Sequence, residues 1–233
     1  MKIKSRYNSF YYEEMTESEI ADFDHKKCAL LVIDMQNANL RQGMTGGECE
    51  GPGQEERWAP FRERLNKVLI PNIKKLENAF RDAGAQVMFA RIASQRRDGL
   101  DRSLDQKMPG FNNLLFYKDD ECAQIIPEIG PVGEELVFTK TTDSTVAGTN
   151  IRLILKNLGI ESVTCCGILT DQCVSCTVRS LADESFYVNV VDDACAAATM
   201  RLHENELEII NHIYCTVLST DEALSWTGYG LHS

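Results

Sequence analysis

An aspartate, a lysine and a cysteine stand where three predicted strands end, and together they have the makings of acyl-transfer chemistry. Asp34 follows the apolar core of CALLVIDM, residues 28–35, and Lys140 closes ELVFTK, residues 135–140. Cys173 lies in CCGILTDQCVSC, residues 165–176, beyond the strand SVTCCG at 162–167 and in the first turn of the helix behind it. A thiol at its ordinary pKa of about 8.5 is only a few per cent thiolate at neutral pH; a neighbouring ammonium and a helix N-terminus both favour the anion. A Cys173 thiol lowered to about 7 or below is therefore expected. Asp34 is suited to take the thiol proton and return it to a departing amine. The turn GILTDQC brings backbone N–H groups, those of Leu169 and Cys173 among them, toward the point where an oxyanion would form.

The neighbouring cysteines have plainer roles. Cys165 and Cys166 fall inside a buried strand, where a thiol packs as a small apolar group. Cys176 completes a C-x-x-C with Cys173 and raises a thiol-redox reading, but a dithiol centre would need neither Asp34 nor Lys140. The four histidines fall in no D-x-H or H-x-x-x-H spacing, and no second C-x-x-C exists to complete a zinc site, so no metal and no cofactor are expected.

Elements that could bring these residues together follow from the periodicity. Short apolar runs at 28–35, 86–92, 135–140, 162–167, 187–194 and 215–219 read as strands. Helical patterns cover 57–83, with a break implied at Pro71, then 149–158, 171–184, 202–213 and a short final helix. Strands alternating with helices at this rhythm mean crossover units, hence an α/β fold: an open, mostly parallel six-stranded sheet with helices on both faces. In such sheets ligands bind outside the carboxyl ends of the strands, where Asp34, Lys140 and Cys173 all fall. The non-periodic stretch 93–128 reads as a lid or binding loop. Gln36, Asn39 and the lid residue Arg96 are candidate substrate contacts; Arg96, Arg97 and Arg102 together would suit an anionic group.

Composition sets the frame. A chain of 233 residues, 43% hydrophobic, can bury one sizeable core, and a single domain over 1–233 with an N-terminal extension at 1–27 is expected. The net charge of −11 argues against nucleic-acid or anionic-membrane surfaces. No apolar run reaches the length of a membrane span, the polar start lacks the core of a signal peptide, and nine scattered cysteines suit reduced thiols in a cytoplasmic protein.

The pieces LLVIDMQN (30–37), FTK (138–140), GILTDQCV (167–174) and VVDDACAA (190–197) resemble, in this order and spacing, the isochorismatase-like cysteine hydrolases. That family includes nicotinamidase, N-carbamoylsarcosine amidase, biuret hydrolase and ureidoacrylate amidohydrolase. The resemblance implies a Rossmann-type three-layer sandwich and an Asp-Lys-Cys triad on Asp34, Lys140 and Cys173. It also implies a cis peptide between Ile168 and Leu169, an oxyanion hole from the Leu169 and Cys173 amides, and assembly as homodimers or homotetramers. The aromatic-rich start and the GYGLHS tail are candidate subunit contacts. IASQRRDGLDR at 92–102 departs from the metal-binding D-x-H of nicotinamidases, and Cys173 itself departs from the true isochorismatases, which lack a nucleophilic cysteine. The expected activity is metal-free hydrolysis of a small amide or carbamoyl compound. A non-catalytic binding protein on the same fold and a redox protein are the alternatives.

Overall fold

The structure is a computed structural model and describes residues 1–38, 54–113 and 115–228. The short strands β1 (Lys2–Lys4) and β2 (Glu17–Glu19) form an antiparallel ribbon within the N-terminal extension. Six strands make the main sheet: β3 (Cys28–Ile33), β4 (Gln86–Ile92), β5 (Leu136–Lys140), β6 (Ser162–Ile168), β7 (Tyr187–Ala196) and β8 (Thr216–Leu218). Their order is β5-β4-β3-β6-β7-β8 and every pairing is parallel. All six residues of β3 are buried, as expected for a central strand covered on both faces.

Helices link the strands: α1 (Gln54–Arg64), α2 (Ile70–Asp82), α3 (Thr145–Gly148), α4 (Ile151–Asn157), α5 (Ser175–Asp183), α6 (Met200–Ile210) and α7 (Thr220–Thr227). The implied break at Pro71 is a wide π turn, Leu65–Leu69, between α1 and α2. It ends where the Ile70 N–H bonds the Leu65 carbonyl, just ahead of the proline, whose nitrogen donates no bond.

This strand order determines which residues can meet. The chain builds outward from β3 through β4 to β5, then returns to place β6 on the other side of β3, so β3 and β6 flank a topological switch point. Asp34 leaves β3 there, and the turn carrying Cys173 leaves β6. Within β6, Gly167 is paired with Ile33 and has φ +114°. A Cβ at this position would collide with the Ile33 carbonyl, so only glycine permits the close approach.

The turn after β6 is held from behind by a buried chain of polar groups. Thr170 Oγ1 lies 2.8 Å from His203 Nδ1 on α6, and His203 Nε2 lies 3.3 Å from Arg64 Nη2. Arg64 also bonds the backbone oxygens of Cys195 at 3.1 Å and Asp192 at 3.2 Å. A guanidinium only donates, so Nε2 accepts and Nδ1 carries the hydrogen that Thr170 receives. Burial first, and the Arg64 charge second, lower the His203 pKa from 6.5 to about 4. The imidazole is thus neutral in the native state at neutral pH.

The carboxylates within β7, Asp192 and Asp193, are structural. Asp193 Oδ1 accepts from the Thr220 N–H and hydroxyl at 2.8 and 2.7 Å, tying the start of α7 to the sheet. Asp192 pairs with Arg6 at 3.9 Å and accepts from Tyr7 at 3.2 Å, docking the N-terminal extension on the sheet. Among the described residues no helix is long and apolar enough to cross a membrane.

The neutral histidine has a measurable consequence. Below its ordinary pKa the unfolded chain binds a proton at His203 that the native state refuses, so stability rises with pH between about 4 and 6.5. That range corresponds to about 3 kcal/mol. The stability advantage of the wild type over His203→Gln in urea unfolding should therefore shrink by about that amount from pH 7 to pH 4. A pH-independent difference would contradict a buried neutral imidazole.

Candidate active site

Asp34 sits one residue beyond β3 with φ +54°, a left-handed conformation that aspartate tolerates better than most residues, and its N–H is bonded to the Ala90 carbonyl at 2.9 Å. Lys140 ends β5, the edge strand two places from β3. Adjacent strands are about 4.8 Å apart, so the long lysine side chain crosses the end of β4 to reach the carboxylate. Its Nζ lies 2.8 Å from Asp34 Oδ2, 3.2 Å from Cys173 Sγ and 3.3 Å from the Thr142 carbonyl. Lys140 is 0% exposed, Asp34 3% and Cys173 7%. The carboxylate, ammonium and thiol thus form one buried cluster.

The charges in this cluster are coupled. Burial opposes the Lys140 ammonium, but Asp34 and the cysteine sulfur beside it outweigh that and hold its pKa above the ordinary lysine value. The thiol moves the other way from the sequence-based expectation. Burial, reinforced by the Asp34 carboxylate, pushes Cys173 well above an ordinary thiol, and the lowering effect of Lys140 does not compensate. Asp143 adds to the upward push, with its Oδ1 3.6 Å from Sγ. A sulfur facing two carboxylates and one ammonium has its thiol pKa raised, not lowered. The expected lowering of the Cys173 thiol pKa is accordingly corrected: its direction is upward.

Cys173 lies in a π turn, Thr170–Val174, that precedes α5. The Ile168–Leu169 peptide bond is cis. Leu169, Gln172 and Cys173 line a narrow cavity of about 30 Å³ together with Asp34, Asp143 and Ile92. The segment 93–128 contributes Gln106, Phe111 and Asn112 to the same cavity. Phe111 stacks on Trp58 of α1 with ring centroids 5.9 Å apart. A larger groove of about 340 Å³ lies between α1 and the segment after β7, with Phe61, Arg64 and Met200 in its wall. Its Glu63 and Lys67 pair with each other at 2.7 Å, its Arg64 is bonded to backbone carbonyls, and among the described residues no thiol lines it, so the smaller cavity that holds Cys173 is the candidate site.

The remaining candidates are distributed differently from expectation. Gln36 is not available to a substrate: its Oε1 accepts from the Ile92 N–H at 2.8 Å, and its Nε2 donates to the carbonyls of Ile92 and Ala123 at 3.0 Å each. A side-chain amide here takes the place of backbone where β3 has ended, tying the end of β4 to the 93–128 segment. Arg96 is also corrected: it is paired with Asp98 at 2.5 Å and does not line the cavity. Asn39 lies outside the described residues, as do residues 229–233 of the tail. Cys165 and Cys166 are fully buried in β6, and burial raises both thiols. Asp143 and Gln106 were missed because they lie in non-periodic stretches. The one available signal for Asp143 was its place three residues after the strand-ending lysine.

Residues 28–222 match the family described as Isochorismatase domain. The chain is 25% identical over 219 residues to the ureidoacrylate amidohydrolase RutB of Acinetobacter baylyi, covering 88% of this chain and 85% of that protein. A cysteine hydrolase from Pseudomonas syringae superposes with a TM-score of 0.72 at 21% identity, covering 90% of this chain and 96% of the other. N-carbamoylsarcosine amidase from Thermoplasma acidophilum superposes with a TM-score of 0.63 at 25% identity, covering 83% and 96%. The chain belongs to the isochorismatase family, on the parallel α/β fold that these hydrolases share.

Proposed function

We propose that this protein is a cysteine amidohydrolase that cleaves the C–N bond of a small amide or carbamoyl compound through a thioester. The observation that carries this reading is the buried Lys140 ammonium within 3.2 Å of the Cys173 sulfur and 2.8 Å of the Asp34 carboxylate. In the proposed cycle the Cys173 proton passes to Asp34 as the sulfur attacks the substrate carbonyl, so the thiolate exists only when an electrophile is in place. Lys140 offsets the negative charge that moves through the cluster. The Leu169 and Cys173 amides are the proposed donors to the oxyanion. Asp34 then protonates the departing nitrogen, the C–N bond breaks, and ammonia or an amine leaves a thioester on Cys173. Water, deprotonated by Asp34, attacks the thioester, and the acid and the free thiol are regenerated.

The proposed cycle uses no metal or cofactor. The relatives named as amidohydrolase and amidase support the C–N bond as target, and the small cavity supports a small substrate. Cytoplasmic location and assembly into homodimers or homotetramers remain part of this proposal, for analytical ultracentrifugation and localisation to test.

Two variants test the mechanism. On a panel of small amides and carbamoyl compounds assayed for ammonia, Cys173→Ala should lose activity by on the order of 10⁴-fold or more while keeping the wild-type fold; a variant with near-full turnover would remove the covalent route. Lys140→Met should lose activity and also stability. It leaves the Asp34 carboxylate buried without its cation, which costs about 3–5 kcal/mol in comparable buried pairs. Urea unfolding at pH 7 reads that loss, and an unchanged midpoint would show that the ion pair is not a structural element.

A further inference from the structure

Two acceptor groups beside the thiol are not used by the thioester chemistry. Asp143 Oδ1 lies 3.6 Å from Cys173 Sγ and receives a 2.8 Å hydrogen bond from Gln106 Nε2. Both contacts use Oδ1, which leaves Oδ2 as an acceptor. The bond to Asp143 also orients the Gln106 carboxamide, because its nitrogen must face the carboxylate. Gln106 is only 2% exposed, it lines the same cavity as Cys173, and its Oε1 has no hydrogen-bond partner among the described residues. A buried carboxamide oxygen without a donor is unfavourable, and a ligand bearing N–H groups removes that cost.

The charges around the cavity agree. Lys140 is already paired with Asp34. The arginines of the 93–128 segment are engaged elsewhere: Arg96 with Asp98, Arg97 with Asp120 and the Tyr117 ring, and Arg102 with the Gln106 carbonyl and Asn113. Among the described residues none of the three lines the cavity. A carboxylate brought beside Asp143 and Gln106 would meet acceptors and negative charge and could donate nothing in return.

We infer that Asp143 and Gln106 are substrate-selecting residues that bind the N–H groups of an uncharged primary amide or carbamoyl group and reject a carboxylate in the same place. This rests on the amidohydrolase reading and adds to it which side chains of this chain tell the amide from its acidic analogue of the same shape.

Alkylation of Cys173 by two nearly isosteric reagents tests this without requiring turnover. Iodoacetamide carries –CO–NH₂ and iodoacetate carries –COO⁻; with either, an Sγ–C bond forms, iodide leaves, and the thiol proton passes to solvent. Rates at Cys173 are read from its peptide by mass spectrometry, and the amide-to-acid rate ratio is compared with that of the small neutral thiol N-acetylcysteinamide. The ratio at Cys173 should exceed the reference by about tenfold or more. That threshold lies between the roughly fivefold that one extra charge about 4 Å away gives in bulk water and the roughly thousandfold it gives at the effective dielectric of a partly buried site. Asp143→Asn should bring the ratio at least threefold closer to the reference, and Gln106→Met, which removes the acceptor without touching Asp143, should also lower it. A wild-type ratio equal to the reference, or one unchanged in both variants, would overturn the selection. Because labelling needs no hydrolysis, that outcome is distinct from failure of the hydrolase reading, which would appear as amide turnover by Cys173→Ala.

Discussion

The Lys140 ammonium has no exposed surface, so its charge must be balanced inside the protein. Asp34 supplies that balance at 2.8 Å, and the pair links the end of the edge strand β5 to the end of the central strand β3 across β4. A buried ion pair is seldom a net source of stability compared with apolar packing. Its presence here is better understood through the third member of the cluster. Lys140 holds a positive charge 3.2 Å from a sulfur whose thiol pKa is raised by burial and two carboxylates. In the proposed cycle one proton moves between sulfur and carboxylate, which leaves the net buried charge unchanged.

Such coupling tolerates little displacement, and the surroundings brace each partner separately. Glycine at position 167 lets the β6 backbone pass close to Ile33, which sets Cys173 beside the exit of β3. Behind the turn, the chain Thr170–His203–Arg64 ties it to the carbonyls at the end of β7. In front, the Gln36 carboxamide joins β4 to the 93–128 segment, so the wall carrying Gln106 and Phe111 is anchored to the same strand ends. These braces are hydrogen-bonded and mostly buried, which suits a rigid site on a parallel sheet.

Much of this was legible in the sequence because strands in a parallel sheet leave a strong signal. Six apolar runs gave the sheet, and the residues closing the runs marked its carboxyl edge, where Asp34, Lys140 and Cys173 were expected and are found together. The polar lining was harder to read. Gln106 and Asp143 sit in stretches without periodicity, and only the folded chain shows that Gln106 donates to Asp143 beside the sulfur. Missing that second carboxylate, and weighing the lysine above burial, led to the opposite expectation for the thiol pKa. Gln36 and Arg96 illustrate a related limit: a polar residue next to a catalytic candidate can spend its hydrogen bonds on backbone or on a neighbour, and sequence does not reveal which. The ribbon of β1 and β2 escaped detection because three-residue strands of alternating charged and buried residues carry too little pattern to read.

The claim on which the account turns is that the Cys173 sulfur senses both the Asp34 carboxylate and the Lys140 ammonium beside it. The most direct measurement is the pH midpoint of Cys173 alkylation by iodoacetamide, read on its own peptide in the wild type, Asp34→Asn and Lys140→Met. Removing the carboxylate should lower the midpoint and removing the ammonium should raise it, each by about one pH unit or more. Midpoints that coincide in all three proteins would mean that the sulfur does not sense its neighbours, and the proposed proton transfer would have no physical basis.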